Sequence, residues 1–287
     1  MAFGSSKPRS TVATLVLAGV LLVMIGVAWA LVRYYRTSAR EGALLLAEMR
    51  RQTLAGLWPR QHREARYEWR DASGRLEGRL QVSRRAVEGG FEGVTIHVPV
   101  AGPALRQGLV KETWTVSDDL AKGDYRADYL TLRYAVEIRL EGGQIHFRTT
   151  GMEEEAQEEA PANYVPEGLE WLAVRMVARA GKKATFAMVS NNESRAARDI
   201  VPWRVTMTPL DARTVRCLYE WRAGSFAETF HLDDSGEVAR VAMDDGAVLA
   251  PAGPEPEPQG TPPGPEPQGT QAGEDPGAVV GKLITEN

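Results

Sequence analysis

Residues 203–232, WRVTMTPLDARTVRCLYEWRAGSFAETFHL, decide the fold class because apolar and polar side chains alternate through them. The apolar faces of two successive runs are Trp203, Val205 and Met207, followed by Val215, Cys217, Tyr219 and Trp221. A period of two residues is typical of half-buried β-strands, and residues 224–226 belong to a hairpin. The short connections predict that neighbouring strands are antiparallel.

The same alternation continues toward the N-terminus. Its apolar faces there are Leu76, Gly78, Leu80 and Val82; Val94, Ile96 and Val98; and Tyr134, Val136, Ile138 and Leu140. Glycine-containing turn sequences at residues 88–90 and 141–143 separate these runs, as hairpins require. The sequence therefore predicts a long antiparallel meander.

One helix and one acidic run interrupt the strands. The helix has Pro166 in its first turn and Gly181 at its C-terminal cap, positions that these residues favour, and we expect it to cover the open side of the sheet. The run MEEEAQEEA, residues 152–160, is predicted as a solvated loop. The alternative, a divalent-cation site, lacks the fixed ligand spacing of a calcium loop. The predicted fold class is α+β, mainly antiparallel β, with a curved meander or half-barrel sheet and a covering helix.

Near the N-terminus, residues 11–32 are 22 successive residues without a charge. A helix of that length spans roughly 33 Å, close to the thickness of a bilayer core, which predicts a transmembrane helix. The alternatives are a buried helix and a cleaved signal peptide, because a basic N-tail precedes the run and Ala28-Trp29-Ala30 fits a cleavage pattern. The basic N-tail favours an extracytoplasmic domain, although Arg33, Arg36 and Arg40 nearly balance the charge count.

The chain divides into five predicted segments: a short basic N-tail (1–10), the transmembrane helix (11–32), a juxtamembrane helix (33–58), a β-rich extracytoplasmic domain (59–250) and a disordered Pro/Gly-rich tail (251–287). Residues 38–41, Ser-Ala-Arg-Glu, form a capping-box pattern that predicts the start of the juxtamembrane helix. Its apolar stripe, which includes Leu46 and Met49, is expected to pack on the domain.

Composition and motifs provide no catalytic centre. A formal net charge of −4 and a pI near 5.7 argue against a dedicated nucleic-acid binder. Cys217 is the single cysteine, and the four histidines do not have metal-motif spacing. His97 and His146 are expected to be exposed, opposite the apolar strand faces. We therefore predict a protein that is not an enzyme and has no catalytic residues, no metal and no cofactor.

Aromatic side chains on the strands are the candidate binding residues. They can line an apolar groove for an acyl chain or an apolar peptide, or they can form an ordinary core. The candidate lining residues are Trp69, Trp203, Tyr219, Trp221 and Phe230.

Three stretches carry a family resemblance: NYVPEGLEWLAVRM (163–176), ATFAMV (184–189) and HLDDSGEVARV (231–241). With one apolar helix and a long meander, they resemble bacterial membrane-anchored or secreted β half-barrel proteins that are distantly similar to lipoprotein-sorting carriers. The resemblance implies a curved sheet that binds acyl chains or partner proteins and has no catalytic residues. This chain differs from the soluble carriers because it has a predicted membrane anchor.

Together these observations predict a single-pass protein of the cytoplasmic (inner) membrane that binds an apolar ligand or a partner protein in the cell envelope. The expected partners are the lipid bilayer and a lipid or a membrane protein. A second copy of the chain is a further candidate partner through the small residues Gly19, Gly26 and Ala30. Two alternatives stay open, a structural subunit that assembles through the anchor helix and tail, and an envelope hydrolase.

Overall fold

The computed structural model describes residues 9–58, 62–106, 108–150, 154–189, 202–221 and 224–253. The helices are α1 (Arg9–Gln52), α2 (Leu54–Leu57) and α3 (Glu170–Ala180), with a 3-10 turn at Gly102–Arg106. The strands are β1 (His62–Arg70), β2 (Leu76–Val87), β3 (Gly90–Pro99), β4 (Val110–Ser117), β5 (Gly123–Tyr129), β6 (Tyr134–Glu141), β7 (Gln144–Thr150), β8 (Glu154–Glu159), β9 (Ala184–Val189), β10 (Pro202–Pro209), β11 (Thr214–Trp221), β12 (Gly224–Leu232), β13 (Val238–Met243) and β14 (Val248–Pro251). Nearly all of the predicted tail lies outside the described residues.

These strands form one antiparallel sheet in the order β8-β7-β6-β5-β4-β3-β2-β1-β14-β13-β12-β11-β10-β9. The first and last strands pair at its centre, with Tyr67 opposite Pro251. Strands β8 and β9 lie at the two ends and do not pair with each other, so the sheet is not closed. Helix α3 packs on β10 and β11, and we call the sheet face toward α3 the inner face. The predicted fold class is confirmed.

Helix α1 is a single element of 44 residues, so the predicted helix start at Ser38 is wrong. The Ser38 hydroxyl does not cap a new helix, because it lies 3.2 Å and 3.1 Å from the carbonyl oxygens of Tyr34 and Tyr35 within α1. Side chains 15–34 are exposed. In the described part of the chain, α1 is the one helix long and apolar enough to cross a membrane by length and composition.

The C-terminal half of α1 packs on the edge strand β9. The apolar residues Leu46 and Met49 are fully buried, as expected for the stripe. Gly42 allows this close approach, because a Cβ atom there would overlap the carbonyl oxygen of Thr185. The Thr185 hydroxyl donates to Ser38 Oγ at 2.9 Å and lies 3.1 Å from the Thr206 hydroxyl. Buried hydroxyl groups therefore connect the apolar helix to the sheet.

The acidic run 152–160 contains strand β8, so its prediction as a solvated loop is wrong. Ala156 pairs with Phe147 of β7 and packs against the core, while Glu155 and Gln157 are exposed. A single small apolar residue is enough to hold the strand, and charged side chains are a common way to protect the edge of a sheet.

In strand β3, the face that lies on the inner side of the sheet is the opposite of the predicted one. His97 pairs with Leu80 and Thr95 pairs with Val82, and antiparallel partners lie on the same face. The set of Val94, Ile96 and Val98 therefore lies on the outer face, and His97 lies on the inner face. The prediction was wrong because both faces of β3 carry apolar residues, so the register with β2 decides which face is buried.

Candidate functional site

A cavity of about 420 Å³ lies on the inner face beside the first turn of α3. We call it the central cavity. Its aromatic wall comes from several strands, from the residue that follows α2 and from α3 itself. It consists of Trp58, Trp114, Tyr125, Trp171, Trp203, Tyr219, Phe226 and Phe230. Concave, mostly apolar spaces with a few polar groups are the usual form of ligand sites.

Four aromatic rings on β10, β11 and β12 form one packed cluster at this wall. Trp203 stacks on Trp221 with 5.3 Å between ring centroids, and Tyr219 stacks on Phe226 at 4.4 Å. Trp203 also meets Phe226 edge to face at 5.4 Å. The cluster forms because Tyr219 and Phe226 are direct cross-strand partners, and such aromatic pairs stabilise a sheet.

Four glutamates also line the central cavity: Glu112 on β4, Glu167 just before α3, Glu170 in its first turn and Glu228 on β12. The Tyr219 hydroxyl binds Glu170 and lies 3.2 Å from Glu228 Oε2. A phenol has one proton to donate, so one of these two contacts is best satisfied by a protonated carboxyl group.

Burial shifts the ionisation of these acids. It raises the pKa of Glu228 to about 8, with a further contribution from the charge of Glu170. Burial also raises the pKa of Glu167 to about 7, although Tyr164 donates a hydrogen bond to it at 2.7 Å. The pKa of Glu170 rises for the same reason, and the neighbouring charge of Glu112 adds to the effect. Near neutral pH the cavity therefore holds protonated carboxyl groups.

His97 and Glu112 form a titratable pair at the wall. His97 Nε2 lies 3.4 Å from Glu112 Oε2, and 40% of the His97 side chain is exposed. Burial lowers the pKa of His97, but the adjacent Glu112 carboxylate has the larger total effect and the pKa is raised. The pair therefore favours an imidazolium beside a carboxylate.

Two arginines line the cavity as well, and both bind one glutamate outside the lining. Arg63 forms an ion pair with Glu237, and Arg84 Nη2 donates to Glu237 at 2.8 Å. Arg63 also donates to the Tyr67 hydroxyl at 2.7 Å. Burial raises the pKa of Tyr67 to about 12, so this phenol stays neutral. These arginines already form ion pairs within the protein.

Of the candidate residues, Trp203, Tyr219 and Phe230 line the central cavity. Trp221 stacks behind Trp203 and is not part of the lining. Trp69 pairs with Gly78 and Leu249 and is not in the lining either. The structure thus brings three of the five candidates to one site.

The four glutamates and His97 were not identified as cavity residues from the sequence, although the sequence pattern indicates one of the glutamates. Phe226, Glu228 and Phe230 alternate on the same strand face, so an acidic residue stands in an otherwise apolar row. Buried charges are rare without a partner, which makes such a residue informative. Within the described ranges, no group of three or more histidine, cysteine or acidic residues is placed to hold a metal ion.

No family model and no curated protein matches the sequence of this chain. Several solved structures match in shape, among them these two. One is a β-barrel-like protein of the domain of unknown function DUF1849 from Brucella abortus, with 12% identity and a TM-score of 0.44, covering 66% of this chain and 94% of that one. The other is a DUF1089 family protein from Pseudomonas aeruginosa, with 18% identity and a TM-score of 0.34, covering 55% and 86%.

Proposed function

We propose that this chain is a membrane-anchored envelope protein whose β-rich domain binds an apolar ligand in the central cavity. The observation that carries the proposal is the cavity itself, about 420 Å³ of space with tryptophan, tyrosine and phenylalanine walls on the inner face of an open sheet. Binding, and not catalysis, is the role that such a wall supports.

The arrangement of α1 supports an anchored domain. The exposed apolar stretch and the packed stretch belong to one helix, and the contacts of Gly42 and Ser38 with Thr185 fix that helix to β9. If residues 11–32 cross a bilayer, the domain has a defined position next to the membrane surface. A cavity held there is suited to a ligand that partitions into lipid.

The test uses the full chain in nanodiscs and N-phenyl-1-naphthylamine, a neutral apolar fluorophore. The variant Thr95→Trp places a large side chain into the cavity, since Thr95 is part of its lining. We expect it to weaken probe binding at least about tenfold. Empty nanodiscs provide the background that is subtracted.

The matched control is Val94→Trp, one residue earlier on the outer face of β3. It adds the same ring to the same strand, and we expect its probe affinity to stay within about twofold of the unmodified chain. An equal loss of probe affinity in both variants, or no saturable probe binding above that of empty nanodiscs, would overturn the proposal.

A further inference from the structure

We infer that the ligand of the central cavity carries a cationic group, an alkyl or aryl ammonium, which binds between Glu170 and Glu228. This inference rests on the proposed function, because it takes the cavity as the binding site, and it names the chemical class of the ligand. Three features carry it: the distribution of charge around the cavity, the aromatic rings beside the two carboxyl groups, and the single phenol that the two carboxyl groups share.

Two carboxyl groups at the cavity wall have no basic partner within the described ranges. Among the residues that the structure describes, Glu170 and Glu228 have no lysine or arginine partner, and their polar contact is the hydroxyl of Tyr219. Arg63 and Arg84, which also line the cavity, both bind Glu237. Two carboxyl groups that share one phenol can ionise together only when a cation joins them.

The surrounding rings suit an ammonium better than a metal ion. Trp203, Tyr219 and Phe226 line the cavity with Glu228, and an ammonium group is attracted to the face of an aromatic ring. Trp203 also has a buried indole N–H without an acceptor in the described part of the chain, which a polar atom next to the ammonium can satisfy. The apolar remainder of the ligand then contacts the aromatic wall.

Binding of a cation is linked to proton release. The groups that face Glu228 are Glu170 on α3, Tyr219 and Cys217 on β11 and Asp245 in the turn after β13. Glu170 additionally faces Glu112. None of these groups supplies a positive charge. Burial raises the pKa of both carboxyl groups, that of Glu228 to about 8. An ammonium therefore replaces a proton when it binds, and its affinity increases with pH.

The experiment compares octylamine with 1-octanol, which have the same chain, by calorimetric titration of the full chain in nanodiscs with empty nanodiscs as background. At pH 7.5 we expect octylamine to bind at least about tenfold more tightly than octanol. Octylamine affinity should increase from pH 6 to pH 8.5, with protons released into the buffer, while octanol affinity stays flat. Alkylamines remain charged over this range, as lysine does.

Glu228→Gln keeps the size of the side chain and removes its charge. We expect it to weaken octylamine binding about tenfold and to leave octanol binding unchanged. The control is Glu220→Gln, on the opposite face of β11, where Glu220 pairs with Arg204 at 3.0 Å. It should change the affinity for neither ligand.

The outcomes separate the inference from the proposed function. Equal binding of octylamine and octanol, or an unaffected octylamine affinity in Glu228→Gln, overturns the inference and leaves an apolar binding site in place. Failure of both ligands to bind overturns the proposed function as well.

Discussion

The hydroxyl of Tyr219 lies 3.2 Å from the carboxyl oxygen of Glu228, in a cavity lined by aromatic, aliphatic and charged side chains. The same hydroxyl binds Glu170 at the start of α3. This contact connects the helix to β11 and β12, and it places two acids where a sequence pattern alone predicts only apolar side chains. The energetic consequences of the contact can be measured.

The first prediction concerns stability against pH. Glu228 ionises near 4.5 in an unfolded chain and near 8 in the folded protein. Between these values the unfolded state holds fewer protons, so the free energy of unfolding falls as the pH rises from about 5 to above 8. We expect a lower melting temperature at pH 8.5 than at pH 6.

The variant Glu228→Gln should reduce this dependence, because a glutamine cannot ionise. Glu167, whose pKa is also raised, retains part of it. The variant should be more stable than the unmodified chain at pH 8.5 and close to it at pH 6, measured by thermal unfolding in the same nanodiscs. A melting temperature of the unmodified chain that rises over this range would contradict the assignment of a buried, protonated Glu228.

The second prediction concerns the phenol. Tyr219→Phe removes the hydroxyl that Glu170 and Glu228 share, which leaves two half-buried carboxyl groups without their partner. We expect a loss of about 1–3 kcal/mol in the free energy of unfolding at pH 6. Glu220→Gln, on the outer face of the same strand, should stay within about 0.5 kcal/mol. Equal stability of Tyr219→Phe and the unmodified chain would show that the shared contact does not hold α3.

The third prediction tests the connection between α1 and the sheet. A Cβ atom at Gly42 would overlap the backbone of Thr185, whereas nothing lies within 4 Å of one at Gly26. Gly42→Ala should therefore cost about 1–3 kcal/mol, as overpacking does. Gly26→Ala adds the same methyl group in the exposed part of α1 and should not lower stability. Similar melting temperatures for the two variants would mean that α1 does not pack on β9 this closely.

The fourth prediction distinguishes an anchor from a cleaved signal. The apolar run continues directly into Arg33 without a polar segment, so we expect the N-terminal segment to remain attached. The protein isolated from a bacterial membrane fraction should have the mass of the whole chain, 31.4 kDa, and should stay with the membranes after alkaline carbonate extraction. A product that begins after Ala30 and is released by carbonate would favour the signal peptide.

Much of the sheet could be predicted because its strands follow a clear period of two. The alternation of residues 203–207 and 215–221 corresponds to β10 and β11, and Gly224 begins β12. The face of β3 could not be predicted in this way, since apolar residues occur on both of its sides and pairing with β2 selects the buried one. Local periodicity does not contain that long-range choice.

Only part of the candidate site could be predicted, because long-range packing also decides which residues meet there. Trp203, Tyr219 and Phe230 stand out as large apolar residues on alternating strands, and they line the cavity. Glu112 and Glu170 come from β4 and α3, which are far apart in the sequence and meet only across the inner face. Whether an acid is buried beside a tyrosine depends on that packing, which no short motif records.

The most direct test of the central claim is native mass spectrometry of the full chain, purified from a bacterial membrane fraction and followed by lipid extraction. We expect an apolar ligand at close to one per chain, retained by Val94→Trp and lost in Thr95→Trp. A chain that carries no ligand, or one that keeps it equally in both variants, would contradict the assignment of the central cavity as a binding site.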